Sequence, residues 1–329
     1  MYSAEAVGRR HGSIQGSAQV LRDSLPEEER IIVDSASDFW MDSIPAFLLK
    51  LKKPQIYWLA GFYLTAPKPW QKNSPYKGKN FFRGLFFWLT QLPVYFIVKH
   101  WADYVFVTSE PDVEKFVTNK RDRKKIIVVQ GGVDITEAKK YLASKNIIPV
   151  EKRKYDACFV GRFHYQKGVL ELIDIWKKVC YQKKSAKLAM IGIGPLEKEV
   201  KRKIKKNKLE KNIDLLGFRD REAKFKVFRQ TKTILHPATY DSGGMAAAEG
   251  MAWGLPAVGF DLECHQTYYP QGMIKAENGN LVQFAEKINQ LLENKKTYQK
   301  YSKEAIDLTQ KVWDWEKRAD KIYNQLFNE

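Results

Sequence analysis

Cysteine is scarce in this chain: Cys158, Cys180 and Cys264 are the only three in 329 residues, an odd number with no close pair. That excludes a disulfide framework, a zinc ribbon and a dithiol redox site, and it is the cysteine usage of a reducing, cytoplasmic setting. Long hydrophobic runs are missing too. The opening segment 1–30 carries Arg9, Arg10 and Arg22 without an uninterrupted apolar run, so no signal peptide is expected there. The longest uncharged stretch is fifteen residues, Gly84 to Val98, with Pro93 inside it. It falls short of the roughly 20 apolar residues of a spanning helix, and the expectation is that it does not cross a bilayer. Acidic side chains are absent between residues 51 and 100, a segment with eight Lys or Arg.

What is present is strongly basic: 56 Lys and Arg stand against 38 Asp and Glu, a net charge of +18. A hydrophobic content of 44 % rules out a mainly disordered chain, and the length exceeds a usual single core, so two domains are expected. The charge is regional. Residues 151–250 hold 24 basic and 12 acidic residues, whereas residues 251–329 hold ten basic and eleven acidic ones. Within the lysine-rich run Lys198–Lys211, Val200, Ile204 and Leu209 recur at near-helical spacing, the pattern of a solvated helix face. The acid-free segment differs, because Trp58, Phe62, Trp70, Phe81, Phe86 and Trp88 are interleaved with its cations. Such a mixture suits an anionic membrane surface. A buried core helix fits the apolar stretch Phe81–Leu89 as well, and nucleic acid would use the same ingredients, although a base-stacking platform would alternate aromatic and basic residues along a strand.

Strand-like and helix-like segments alternate along the second half. Asp156–Gly161, Lys187–Gly192, Ile213–Gly217, Thr233–His236 and Pro256–Phe260 read as strands, with helices over Gly168–Cys180, Pro195–Lys208, about Arg221–Gln230 and about Met245–Trp253. This alternation predicts a doubly wound parallel sheet with ligand-binding loops at the carboxyl ends of its strands. The first half predicts a second α/β layer, with strands over Arg30–Asp34, Gln55–Leu59, Tyr104–Thr108 and Lys125–Val129. Gln130–Asp134 and Pro149–Lys154 mark the boundary region.

Three loops carry residues suited to a nucleotide diphosphate. In Val160–Gly168, Arg162 and Lys167 stand five positions apart between a strand and a helix, where a guanidinium fork and an ammonium can meet a pyrophosphate. Two solvated surface cations would look the same. In Asp241–Glu249 the pair Gly243-Gly244 opens a helix of small residues, whose first amides and dipole offer an anion site. An N-cap Asp and a surface Glu are the plainer reading of that stretch. Gly250–Val258 by itself is only a helix end, a Gly-Leu-Pro turn and a strand.

In this order, the three segments resemble the retaining glycosyltransferases of family 4. The signature is an acidic residue, seven residues and a glutamate, followed by Ala-x-Gly-x-Pro, here Asp241 to Glu249 and Ala252 to Pro256. Supporting matches are the Gly161-Arg162-Phe163 to Lys167-Gly168 loop, Ile193-Gly194-Pro195, Leu216-Gly217-Phe218, Gly131-Gly132-Val133-Asp134 and Trp313-Asp314-Trp315. The resemblance implies an α/β chain of GT-B architecture, two Rossmann-like doubly wound domains facing a cleft. It would place an acceptor-side domain, incomplete at its start, over residues 1–148, a nucleotide-sugar domain over 149–310, and a last helix, 311–329, crossing back to the first domain. Only the segment before Ile31 precedes the first matched strand, and Gly12 and Gly16 follow no recognisable strand, so a shortened N-terminal domain is expected.

By the same resemblance Arg162 and Lys167 would bind the donor diphosphate and stabilise the leaving group, and Asp241 would touch the transferred sugar. Gly161, Gly194, Gly243, Gly244 and Met245 would line the donor, Glu249 would bind the ribose hydroxyls, and Phe218 and Arg219 would face the base. Retention at the anomeric centre, no cofactor and no metal are implied, the last in keeping with the lack of any Asp-x-Asp triplet. A histidine common in the family after the second strand is replaced by Ala60-Gly61-Phe62, and His11, His100, His164, His236 and His265 are taken as structural or solvated. The expected function is transfer of a sugar from a UDP or GDP donor to a lipid-linked or polysaccharide acceptor, on the inner face of a membrane. A non-catalytic nucleotide-binding remnant is the alternative, and a basic nucleic-acid-binding protein a more distant one.

Overall fold

The computed structural model describes residues 31–327, and side chains through residue 325. The sequence readings at Arg9, Arg10, His11, Gly12, Gly16 and Arg22 lie outside the described residues. Contacts divide the described chain into one unit of residues 31–65, 89–130 and 316–327 and another of residues 66–88 and 131–315.

The first unit is built on a parallel sheet in the order β1 (Ile32–Ser35), β2 (Tyr57–Phe62), β3 (Tyr104–Val107) and β4 (Ile126–Val128). All three pairings are parallel, and Trp58, Ala60 and Phe62 of β2 are buried at alternate positions. Helix α1 (Trp40–Lys52) is tied to the sheet electrostatically. Lys50 Nζ donates to Asp103 Oδ2 at 2.8 Å, and the same oxygen accepts from the Trp58 amide at 2.7 Å.

Helix α2 (Phe81–Trp101) corrects the expectation drawn from the uncharged stretch. It runs unbroken through Pro93 for 21 residues, and the helical segment Gly78–Trp101 is long and apolar enough to cross a membrane by length and composition. Charge at Arg83 ends the uncharged count but not the helix. Val94 and Val98 are buried, while Phe82, Phe86, Leu89 and Phe96, spaced to share one face, are exposed. Its last carbonyls are met by one side chain. Buried Arg121 donates to the carbonyl oxygens of Val98 (3.1 Å), Lys99 (2.8 Å) and Ala102 (2.6 Å), and again to Phe116 at the end of α3 (Glu110–Phe116).

The second unit contains α4 (Thr136–Leu142) and a six-stranded parallel sheet in the order β10-β9-β8-β5-β6-β7. Its strands are β5 (Tyr155–Val160), β6 (Leu188–Ile191), β7 (Ile213–Gly217), β8 (Thr231–His236), β9 (Ala257–Phe260) and β10 (Met273–Ala276). Between them run α5 (Val169–Gln182), α6 (Glu197–Lys206), α7 (Arg221–Arg229), α8 (Met245–Ala252) and α9 (Glu263–Tyr268), followed by α10 (Leu281–Glu293) and α11 (Lys295–Val312), while α12 (Trp315–Phe327) belongs to the first unit from Glu316 onward. The expected strands and helices of this half are present within two residues or so at each end, and β10 is an additional strand. α6 buries Val200 and Ile204 and exposes Lys198, Lys201, Lys205 and Lys206, as the spacing in that run requires, while Lys203 is half-buried against Asp174.

β5 is central, paired to β6 on one side and β8 on the other. The chain winds outward from β5 to β7 and then returns to start β8, so the β5 and β8 ends form the switch point where open α/β sheets bind ligands. At its far, amino-terminal end β5 is anchored by Asp156. This buried carboxylate accepts from Lys183 Nζ (2.7 Å), Lys232 Nζ (2.8 Å) and the Lys187 amide (3.0 Å). Burial opposes its ionisation, but the two ammonium groups hold its pKa below the usual carboxylate range.

Candidate functional site

The residues singled out from sequence fall on the carboxyl ends of four adjacent strands of the second unit. Gly161, Arg162 and Lys167 follow β5, Gly194 follows β6, Phe218 and Arg219 follow β7, and Asp241 to Glu249 follow β8. Close backbone packing joins the first and last of these loops. Gly168 has φ +64°, and a Cβ there would lie 2.1 Å from the Pro237 carbonyl oxygen, so no side chain fits between the β5 and β8 loops.

That approach brings Lys167 to Asp241. Lys167 Nζ donates to Asp241 Oδ2 at 2.8 Å, and His236 Nε2, at the end of β8, lies 3.2 Å from the same oxygen. Asp241 Oδ1 accepts from the Ser242 amide at 2.8 Å. The Asp241 side chain is only 7 % exposed. Burial alone would raise its pKa, but the Lys167 charge and the neighbouring His236 hold it well below the usual carboxylate range. The site therefore contains a stable carboxylate whose cationic partner is partly open to solvent.

Beyond Asp241 the chain turns through Gly243 and Gly244 into α8, and aromatic side chains hold this turn. Gly244 is left-handed, φ +66°, and its carbonyl accepts from the Tyr269 hydroxyl at 2.7 Å. A Cβ on Gly243 would lie 2.5 Å from the Tyr268 ring. Trp313 stacks on Tyr269 with ring centroids 5.3 Å apart, so the closing aromatic segment supports the glycine turn from behind. The amides at the start of α8, Met245 among them, lack carbonyls one turn back within the helix and present a positive dipole end. Gly131 packs close to the Met245 side chain.

Glu249 lies one turn into α8, and its Oε2 accepts from Lys224 Nζ of α7 at 2.8 Å. Arg162 is exposed and forms no ion pair among the described residues, and Phe218 and Arg219 are exposed. Gly161 and Gly194 serve loop packing. A Cβ on Gly194 would lie 2.5 Å from the Phe163 carbonyl oxygen, and the Gly161 carbonyl closes against Gly192. His164, between Arg162 and Lys167, has its pKa lowered by burial and by the cations Arg162, Lys167 and Arg83.

Sequence reasoning misses three participants. His236 is buried beside Asp241, His265 is buried behind it with Nδ1 2.9 Å from the Phe260 carbonyl, and Lys224 reaches Glu249 from a separate helix. His236, at the end of a buried strand five residues before Asp241, is the one of these with a signal in the sequence. Taken together, the arrangement offers an anion two cations, one exposed and one exchangeable, and a helix start, with carboxylates on either side for hydroxyl groups.

Residues 142–308 match the family model described as glycosyl transferases group 1. An uncharacterized glycosyltransferase of Methanocaldococcus jannaschii is 28 % identical over 65 % of this chain and 58 % of its own. An amylovoran biosynthesis glycosyltransferase of Erwinia amylovora is 28 % identical over 51 % of this chain and 47 % of its own. The chain thus spans about half the length of these curated relatives. Among solved structures, a protein of Anabaena in complex with UDP superposes with a TM-score of 0.69 at 15 % identity, covering 97 % of this chain and 85 % of that one. The fold is that of the GT-B structures, with two parallel Rossmann-like sheets.

Proposed function

The chain belongs to the glycosyl transferases group 1 family, and from that premise we propose that it moves a sugar from a nucleotide-diphosphate donor to a lipid-linked or polysaccharide acceptor, with retention at the anomeric carbon. The observation that carries this reading is the convergence of Arg162, Lys167, the Gly243-Gly244 turn and the start of α8 at the β5/β8 switch point. Each of these groups suits a diphosphate, and they come from two loops far apart in sequence.

In this account the donor diphosphate draws Lys167 away from Asp241 and takes Arg162 from solvent. Negative charge grows on the departing diphosphate as the anomeric carbon acquires oxocarbenium character, and the two cations and the helix start oppose that charge. A metal ion has no role in this scheme, because side-chain cations and amides supply the positive charge. Asp241, freed from Lys167 but still beside His236, accepts hydroxyls of the transferred sugar, and Glu249 accepts those of the ribose.

The lipid side of the proposal rests on α2 and its surroundings. Phe82 and Phe86 are 79 % and 71 % exposed, within a segment that has no acidic residue between 51 and 100. Exposed aromatic rings beside unopposed lysines match an anionic lipid surface, which would keep the enzyme at the membrane on its cytoplasmic side. The test is incubation of the protein with labelled UDP- and GDP-sugars and a lipid extract. Label entering the lipid fraction, with the donor's anomeric configuration retained by NMR, supports the proposal. Nucleotide binding without transfer to any lipid or glycan fraction supports the non-catalytic alternative instead.

A further inference from the structure

We infer that Lys224 is a positioning residue for the donor's ribose, acting through Glu249; the inference rests on the donor-site reading above. Lys224 Nζ lies 2.8 Å from Glu249 Oε2, and the lysine side chain is only 12 % exposed against 24 % for the glutamate. An ammonium held that far from water is costly without a partner, and Glu249 is the partner it has. The second carboxylate oxygen, Oε1, has no intramolecular partner among the described residues. One oxygen is fixed by the protein and the other stays available to a ligand.

The helix that carries Lys224 is itself locked to the helix that carries Glu249. Phe225 and Phe228 of α7 pack on Trp253, directly after α8, with ring centroids 4.9 Å and 6.4 Å away. Lys224 therefore approaches from a rigid base, and the pair is built before any ligand arrives. Its consequence is a carboxylate held in one rotamer. A vicinal diol presents two hydroxyl donors, and a preoriented carboxylate can take both only if it does not rotate away. Lys224 thus sets the preference for a ribose over a 2′-deoxyribose without touching either.

The experiment is calorimetric titration of the full chain with UDP, GDP and their 2′-deoxy counterparts, for wild type, Lys224→Met, Lys224→Arg and Glu249→Gln. Wild type is expected to prefer the ribonucleotide. In Lys224→Met, ribonucleotide affinity should fall about ten- to a hundredfold with little change for the deoxynucleotide, so the preference collapses. Lys224→Arg should restore most of it, and in a Glu249→Gln background Lys224→Met should have no further effect on the ratio. General damage to the fold would weaken both nucleotides alike and leave the ratio unchanged, which would overturn the inference. If Lys224→Met does not fold, Lys224→Gln takes its place: loss of the preference in a folded protein supports the inference, and an unchanged ratio overturns it. Wild type that binds ribonucleotide and deoxynucleotide equally overturns the inference alone, whereas wild type that binds no nucleotide overturns the donor-site reading and the inference together.

Discussion

Lys167 Nζ and Asp241 Oδ2 lie 2.8 Å apart although 74 positions separate them in the chain, and they meet because Gly168 lets the β5 loop close on the Pro237 carbonyl. The pair is a structural tie as well as part of the proposed donor site. Lys167→Met leaves a buried carboxylate without its ammonium. The ion pair is partly exposed on the lysine side, so the expected cost in the ligand-free protein is about 1–3 kcal/mol, below that of a fully buried pair. Asp241 has a depressed pKa when folded, so its contribution is complete above the unfolded value near 4 and is lost as pH falls below it. Urea unfolding at pH 7, 4 and 3 should show a shallower acid loss for Asp241→Asn than for wild type.

His265 gives a second pH dependence in a different window. Burial, with the neighbouring His236 charge, lowers its pKa to about 3, while the Phe260 carbonyl acts in the opposite direction. The unfolded chain binds the proton more readily, so stability contributed by neutral His265 is complete above about pH 6.5 and is lost progressively toward pH 3. The loss should be about 2 kcal/mol at pH 5 relative to neutral pH. His265→Gln should flatten the stability profile between pH 7 and 5, and an unchanged slope would rule this origin out.

Arg121 is the principal tie at the end of α2. Arg121→Met removes a guanidinium that serves four carbonyl groups and strips its hydrogen bonds from those of Lys99, Ala102 and Phe116, while the Val98 carbonyl keeps the Ala102 amide. Destabilisation of about 3 kcal/mol is expected in denaturant titration. Arg121→Lys should recover only part of it, because one ammonium cannot reproduce the planar fork.

Lipid attachment is tested at Phe82 and Phe86. Changing both to Ser should leave stability within about 0.5 kcal/mol, since both are exposed. Cosedimentation with phosphatidylglycerol vesicles at low salt should fall at least about tenfold. Equal sedimentation of the variant and wild type would remove α2 from the lipid reading.

The sheet of the second unit is legible in the sequence because β5, β6, β8 and β9 are buried apolar runs ended by turn residues or by a helix start. β10, Met-Ile-Lys-Ala, is four residues with a lysine inside and gives no such signal. The extent of α2 is obscured for another reason: Arg83 interrupts the uncharged run and Pro93 suggests a break, yet neither ends the helix. The glycine pair and the two donor-loop cations can be picked out by type and spacing. Lys224 cannot be assigned that way, because its meaning depends on which helix faces Glu249. A lysine among the charges of α7 has the sequence signature of any solvated lysine.

The central claim is that the second unit holds a nucleoside diphosphate at the β5/β8 switch point. Thermal unfolding with and without UDP, GDP and their sugar conjugates tests it most directly, beside Arg162→Ala and Glu249→Ala. At about 100 times the dissociation constant, one base class should stabilise wild type by roughly 2.7 kcal/mol, and both variants should lose most of that shift. A folded wild-type chain that no nucleotide stabilises, or variants that respond as wild type does, would contradict the account.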